Sequence, residues 1–146
     1  VDKMTLAGLV EVIRLYKDPR RLHTRLPILR DLTRPVEEVD HQAARVLPSI
    51  RQAVPVSAMV RVEQCKSQIG SGALPLDLLE SRALVIEPTS EMVGKDAFIT
   101  LLSESFRNLP VPVIGRIHDG ALIFDLRCLQ PSEENEFIDQ LSQLKL

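Results

Sequence analysis

The spacing of apolar residues changes at Val54, from a helical period to a period of two. Upstream, Leu6, Leu9, Val10, Ile13 and Tyr16 recur at helical intervals behind Thr5, a residue suited to an N-cap, and the stripe stops ahead of Asp18-Pro19. Leu26 to Leu32 reads as a short second helix, with Pro27 in its first turn, where the missing N–H does no harm. A further helix starts near Thr33-Arg34-Pro35, places Glu37 and Glu38 at the positive end of its dipole, and continues through Val39, Ala43, Val46, Leu47 and Ile50. Pro48 falls inside it and is expected to kink or interrupt it.

Downstream, Ala58, Val60 and Val62 alternate with Met59, Arg61 and Glu63, the pattern of a strand with one covered face. Arg82 to Glu87 is apolar on both faces, as a central strand would be, and Pro88 stops it. Phe98, Leu101, Leu102, Ser105, Phe106 and Leu109 form a helical stripe, and a last helix after Pro131-Ser132 should bury Phe137, Ile138, Leu141 and Leu144.

Between those helices, Asp119-Gly120 supplies the positive φ of a two-residue hairpin turn. That turn sets His118 opposite Ala121, Ile117 opposite Leu122, Arg116 opposite Ile123, Gly115 opposite Phe124 and Ile114 opposite Asp125. One face of the hairpin then holds Val113, Ile117, Leu122, Phe124 and Leu126 and should pack on helices. The other holds Ile114, Arg116, His118, Ile123, Asp125 and Arg127, with Arg116 diagonal to Asp125 at roughly 7 Å.

The predicted fold class is α+β: helices over 1–53, then over 54–146 a unit with a three- to four-stranded sheet, antiparallel or mixed, and helices mainly on one face. At 146 residues the chain is long enough for one real core, and with aromatics at 3% that core is aliphatic. No apolar run reaches the ~20 residues of a membrane span and no signal peptide opens the chain, so a cytoplasmic protein with reduced Cys65 and Cys128 is expected. The chain opens Val1-Asp2-Lys3, without an initiator methionine, and enters a helical pattern at once; it is expected to be a piece of something longer.

His23, His41 and His118 lie far apart and neither cysteine sits in a Cys-x-x-Cys pair, so no metal site or nucleophilic cysteine is expected. The net charge of −2 is unevenly spread. Arg14, Lys17, Arg20, Arg21, Arg25, Arg30 and Arg34 face only Asp18 and Asp31, whereas Glu133, Glu134, Glu136 and Asp139 dominate the tail. A basic segment of this kind follows a phosphate backbone or is a solvated helix surface. Gly70, Ser71 and Gly72 resemble part of a phosphate-cradling loop but lack the Lys-Ser/Thr ending of a P-loop; a turn between two strands is the alternative. Arg116, Asp125 and Arg127 form either a surface ion-pair cluster or a face turned to a second domain or an anionic substrate.

Four stretches taken in order carry a family resemblance: Val1 to Leu6, Leu26 to Arg34, Ser67 to Pro75, and Pro112 to Gly120 with Leu126-Arg127. Together they resemble the C-terminal portion of the bacterial L-seryl-tRNA(Sec) selenium transferases, or selenocysteine synthases. The resemblance implies the small C-terminal domain of a fold-type-I pyridoxal 5'-phosphate enzyme, with the first helices as large-domain exit and connecting helix. It implies an activity in which hydroxide is lost from seryl-tRNA(Sec) and selenium from selenophosphate adds, in an enzyme that is a homo-oligomer. The family's Schiff-base lysine lies upstream of the matched segment, and Lys3, Lys17, Lys66, Lys95 and Lys145 match none of its surroundings. No catalytic residue is therefore expected in this chain, and the piece alone should be inert.

Under that resemblance Arg116, Arg127 and Asp125, with Gly70, Ser71 and Gly72, are candidates for facing substrate or the large domain. Arg20, Arg21, Arg25, Arg30 and Arg34 are candidates for a tRNA or subunit contact. An aminoacyl-tRNA has no free carboxylate to grip, so Arg116 or Arg127 is expected to meet phosphate or the large domain instead. The competing readings are a ferredoxin-like ligand-binding or regulatory module, and the small domain of another fold-type-I enzyme acting on a free amino acid.

Overall fold

The computed structural model describes residues 1–68, 78–91 and 93–145. Four helices come first: α1 (Lys3–Leu15), α2 (Pro19–Arg25), α3 (Pro27–Thr33) and α4 (Val36–Ala53). They are followed by β1 (Ala58–Ser67), β2 (Leu79–Pro88), α5 (Lys95–Arg107), β3 (Arg116–His118), β4 (Ala121–Asp125) and α6 (Glu134–Gln140). Single turns of 3-10 helix occupy Leu126–Cys128, Pro131–Glu133 and Leu141–Gln143. The sheet runs β1-β2-β4-β3, antiparallel at every step, which gives the expected α+β class.

Alternation along the strands explains the layering. Val60, Leu84, Ile86, Leu122 and Phe124 point to one face, where they meet Val39, Val46 and Ile50 of α4 and Leu102 and Phe106 of α5. The Phe106 and Phe124 rings lie 4.7 Å apart at 54°, a tilted aromatic pair near the centre of this core. The other face of the sheet carries a smaller apolar patch of Ala83, Val85 and Ala121, with Cys65 and Ile123 beside it. Apolar residues on both faces of β2 follow from its central place in the sheet.

The hairpin forms in the expected register, with Arg116 opposite Ile123, Ile117 opposite Leu122 and His118 opposite Ala121. Asp119 and Gly120 both take positive φ, 49° and 72°. The pairing is shorter than expected, however, ending at Arg116. At Gly115 the chain closes in so tightly that a Cβ would stand 2.8 Å from the Ile123 carbonyl oxygen and 2.8 Å from the Phe124 ring. Ile117, expected against the helices, is half exposed because the three-residue edge strand overhangs them. β4 also stops early, at Asp125, whose carboxylate accepts from the Arg127 N–H at 3.1 Å and turns Leu126–Cys128 into a 3-10 turn.

Three helical expectations are corrected. Asp2, not Thr5, caps α1, accepting from the Thr5 N–H at 2.8 Å and the Thr5 hydroxyl at 3.1 Å. A helix, α2, forms where none was read, because Pro19 stands at its first position. α4 runs through Pro48 without interruption: Val46 and Ile50 on either side are fully buried, and this packing offsets the lost hydrogen bond. The apolar stripe of α1 finds no cover among the described residues, and Leu6, Leu9, Ile13 and Tyr16 are each about half exposed. Among the described residues, no helix is long and apolar enough to cross a membrane.

Candidate functional site

The polar centre of the domain lies where the α3–α4 junction meets the 3-10 turn after β4. Arg34 precedes Pro35 and is held extended there, so its side chain leaves the helices and crosses to the turn. Its Nη1 donates to the carbonyls of Leu126 at 3.2 Å, Arg127 at 3.0 Å and Leu129 at 2.7 Å, and its Nη2 to Gln42 Oε1 at 2.8 Å. Arg127 returns the contact: Nη1 donates to the carbonyls of Asp31 at 3.1 Å and Arg34 at 2.9 Å, and Nη2 to that of Glu80. Both arginines are buried. Burial pushes the Arg34 guanidinium below its ordinary value; Glu38 pulls it back and the charge of Arg127 adds to the lowering.

From Arg34 the network continues outward. Gln42 Nε2 donates to Glu134 Oε2 at 3.1 Å, and Arg45 holds the same carboxylate with two bonds of 2.7 Å. The Arg45 hydrogen bond, with that of Gln42 and the charges of Arg45 and Arg34, keeps Glu134 below the usual carboxylate range in spite of its burial. Asp40 on α4 pairs with Arg82 on β2, Nη2 to Oδ2 at 2.7 Å. None of Gln42, Arg45, Glu134, Asp40 and Arg82 was singled out in the sequence. Their partners are about ninety and forty residues away, and the only local signal is a polar residue on the apolar side of a helix, as Gln42 is between Val39 and Val46.

Two sequence candidates are corrected by this geometry. Arg127 does not lie on an open hairpin face, because the strand ends at Asp125 and the side chain turns inward. Arg34 is not a surface cation, because both its Nη atoms are spent on internal carbonyls and Gln42. Arg20, Arg21 and Arg25 are exposed on α2, and Arg30 on α3 is half-buried with its Nε 3.4 Å from Asp31. Gly70, Ser71 and Gly72 lie outside the described residues.

Arg116 is exposed on the far face of the sheet, where it lines a shallow depression with Ile114, Gly115, Ile123 and Asp125. Asp125 is committed elsewhere: it accepts from the Ser81 hydroxyl at 2.6 Å as well as from the Arg127 N–H. Arg116 is thus left facing solvent without a carboxylate within 4 Å among the described residues. Cys65 and Cys128 are both free thiols, Cys65 half-buried and Cys128 exposed. Burial pushes both thiols up, helped by Asp125 at Cys65 and by Asp31 and Asp125 at Cys128, so neither carries the lowered pKa of a nucleophile. All five lysines are exposed, with Lys66 paired to Glu80. The residues present do not fit a covalently held pyridoxal phosphate, which requires a lysine inside a closed cleft.

Sheet, helical cover and buried arginine pair define a small α+β domain. Comparison with known proteins gives its lineage: the chain belongs to the L-seryl-tRNA selenium transferase family, whose profile matches residues 1–130. An L-seryl-tRNA(Sec) selenium transferase of Methylocella silvestris is 46% identical over 144 residues, 99% of this chain and 29% of that protein. Proteins of the same name from Klebsiella pneumoniae and Escherichia coli are 48% and 45% identical over 140 residues, 96% of this chain and again 29% of theirs. The chain thus spans less than a third of the length of the curated relatives it matches.

Proposed function

We propose that this chain is the C-terminal small-domain part of a pyridoxal-phosphate-dependent selenium transferase that converts seryl-tRNA(Sec) to selenocysteinyl-tRNA(Sec) with selenophosphate. The observation that carries the reading is the family match over residues 1–130 joined to an antiparallel α+β fold. Pyridoxal phosphate would be held by the rest of the larger enzyme and would supply the chemistry of hydroxide loss and selenium addition there. The attachment lysine is contributed from outside this chain, and the chain alone is inactive. In this reading residues 1–53 form the large-domain exit and connecting helix, with α4 laid across the sheet and the bare stripe of α1 turned to the rest of a cytoplasmic homo-oligomeric enzyme.

Arg116 faces the large domain, selenophosphate or the tRNA acceptor end. Exposed and without an ion-pair partner among the described residues, it suits an anionic partner better than a structural role. Arg20, Arg21 and Arg25, exposed on α2, contact tRNA or a neighbouring subunit. A ferredoxin-like module is disfavoured by the strand order β1-β2-β4-β3, with two strands before the first intervening helix among the described residues.

A chimera tests the reading. The corresponding C-terminal segment of a full-length relative is replaced by this chain, and selenium transfer to seryl-tRNA(Sec) is measured with the isolated chain alongside. Activity in the chimera and none in the isolated chain supports the reading; a folded, cofactor-loaded chimera without transfer, or activity of the isolated chain, overturns it. Arg116→Ala in the active chimera is expected to lower transfer or tRNA affinity by about tenfold, the worth of one charge-assisted contact. Unchanged kinetics and affinity would remove Arg116 from the site.

A further inference from the structure

We propose that the cleft between α2, α3 and the start of α4 is a binding site for a phosphate group. A cavity of about 300 Å³ lies there, and its wall sets His23, Arg30 and Arg34 against a single carboxylate, Glu38. Arg34 is 8% exposed, and with both Nη atoms engaged its Nε is buried without a hydrogen-bond partner. A buried N–H without an acceptor is unusual and costly. Glu38 Oε2 stands 4.0 Å from that Nε, within ion-pair range but beyond hydrogen-bond reach, and Arg34 and Glu38 line the same cavity.

A second, independent observation points to an anion. α4 is an 18-residue helix that begins behind Pro35 with no side-chain cap, and Pro35 and Glu38 at its start line the same cavity. The Nη groups of the two buried arginines are satisfied mainly by carbonyl dipoles, and the carboxylates acting on Arg34 are those of Glu38 and Asp31. A phosphate group offers acceptors for Arg34 Nε, for the half-buried Arg30 guanidinium and for the helix N–H groups, and competes there with Glu38 and Asp31. The Glu38 side chain, 61% exposed, occupies the vicinity when the site is empty and swings out when a phosphate enters.

The phosphate belongs either to a small ligand or to a nucleic-acid strand; the recognition chemistry is the same, and it does not depend on the selenium-transfer reading. Inorganic phosphate titrated into the full chain at constant ionic strength, followed by 15N NMR, is expected to shift the Arg34 Nε–H and the Val36 to Glu38 amides saturably. Arg30→Ala, which leaves the buried clasp intact, should weaken binding about tenfold. Glu38→Gln should strengthen it about threefold, the scale of an exposed ion pair. A short RNA duplex that displaces phosphate from these resonances assigns the site to a strand phosphate; binding of phosphate that the duplex does not displace assigns it to a small ligand. Shifts that are non-saturable, spread equally over Arg20, Arg21 and Arg25, or unchanged in Arg30→Ala overturn the proposal.

Discussion

Arg34 and Arg127 each donate a guanidinium N–H to the other's main-chain carbonyl, at 3.0 and 2.9 Å. The two residues are 93 positions apart, so this reciprocal clasp ties the helical N-terminal segment to the turn that follows the sheet. Because most of the acceptors are backbone atoms, truncating one arginine takes a buried donor away from carbonyls of the other's segment.

Arg34→Ala and Arg127→Ala are each expected to destabilise the chain by about 2–4 kcal/mol, from lost charge-assisted bonds and stranded acceptors. Arg→Lys at either position recovers little, since one ammonium cannot reproduce a planar fork spread over several carbonyls. Urea unfolding of the four single variants checks both statements, and a loss below about 0.5 kcal/mol would show the clasp to be ornamental.

Acid stability should depend on Glu134. Its carboxyl is held below the usual range by Arg45 and Gln42, so the unfolded chain binds the proton more readily. That stabilisation is complete above the unfolded value of about 4.3 and is lost as pH falls through the lower folded value. Glu134→Gln should remove this part of the acid dependence while lowering stability at neutral pH by about 1–3 kcal/mol. Thermal melts of both proteins between neutral and strongly acidic pH give the comparison.

Gly115→Ala is expected to cost about 1–3 kcal/mol, because the added methyl meets backbone and ring atoms that have no room to withdraw. Gly120→Ala should cost about 1–2 kcal/mol for a different reason, its left-handed φ of 72°, since nothing lies within 4 Å of the new methyl. Chemical denaturation measures both, and an additive double variant would confirm that the causes are separate.

Leu9→Ser and Ile13→Ser on the bare face of α1 should change the stability of this chain by no more than about 0.5 kcal/mol, whereas Leu102→Ala in the core should cost about 2–5 kcal/mol. A large loss from the α1 changes would mean that its stripe is covered in solution, and sedimentation velocity would then identify self-association.

Local rules carried a good part of the structure. The period change at Val54, the turn at Asp119-Gly120 with its register, the two-faced β2 and the stripes of α5 and α6 depend on neighbours within a few residues, which is the range over which backbone preference and alternation act. Family membership was legible for a related reason: ordered short motifs survive as text even where each alone is weak. Tertiary structure decided what these rules do not reach. Whether the stripe of α1 is covered, whether Pro48 breaks α4 and where β4 ends were settled by packing across the sheet. The fates of Arg34 and Arg127 were settled the same way, since a charged side chain reads as surface until distant carbonyls arrive to surround it. Sequence alone therefore determined most of the elements and their lineage, and only the fold determined where they end, which charges are buried and which remain free to bind.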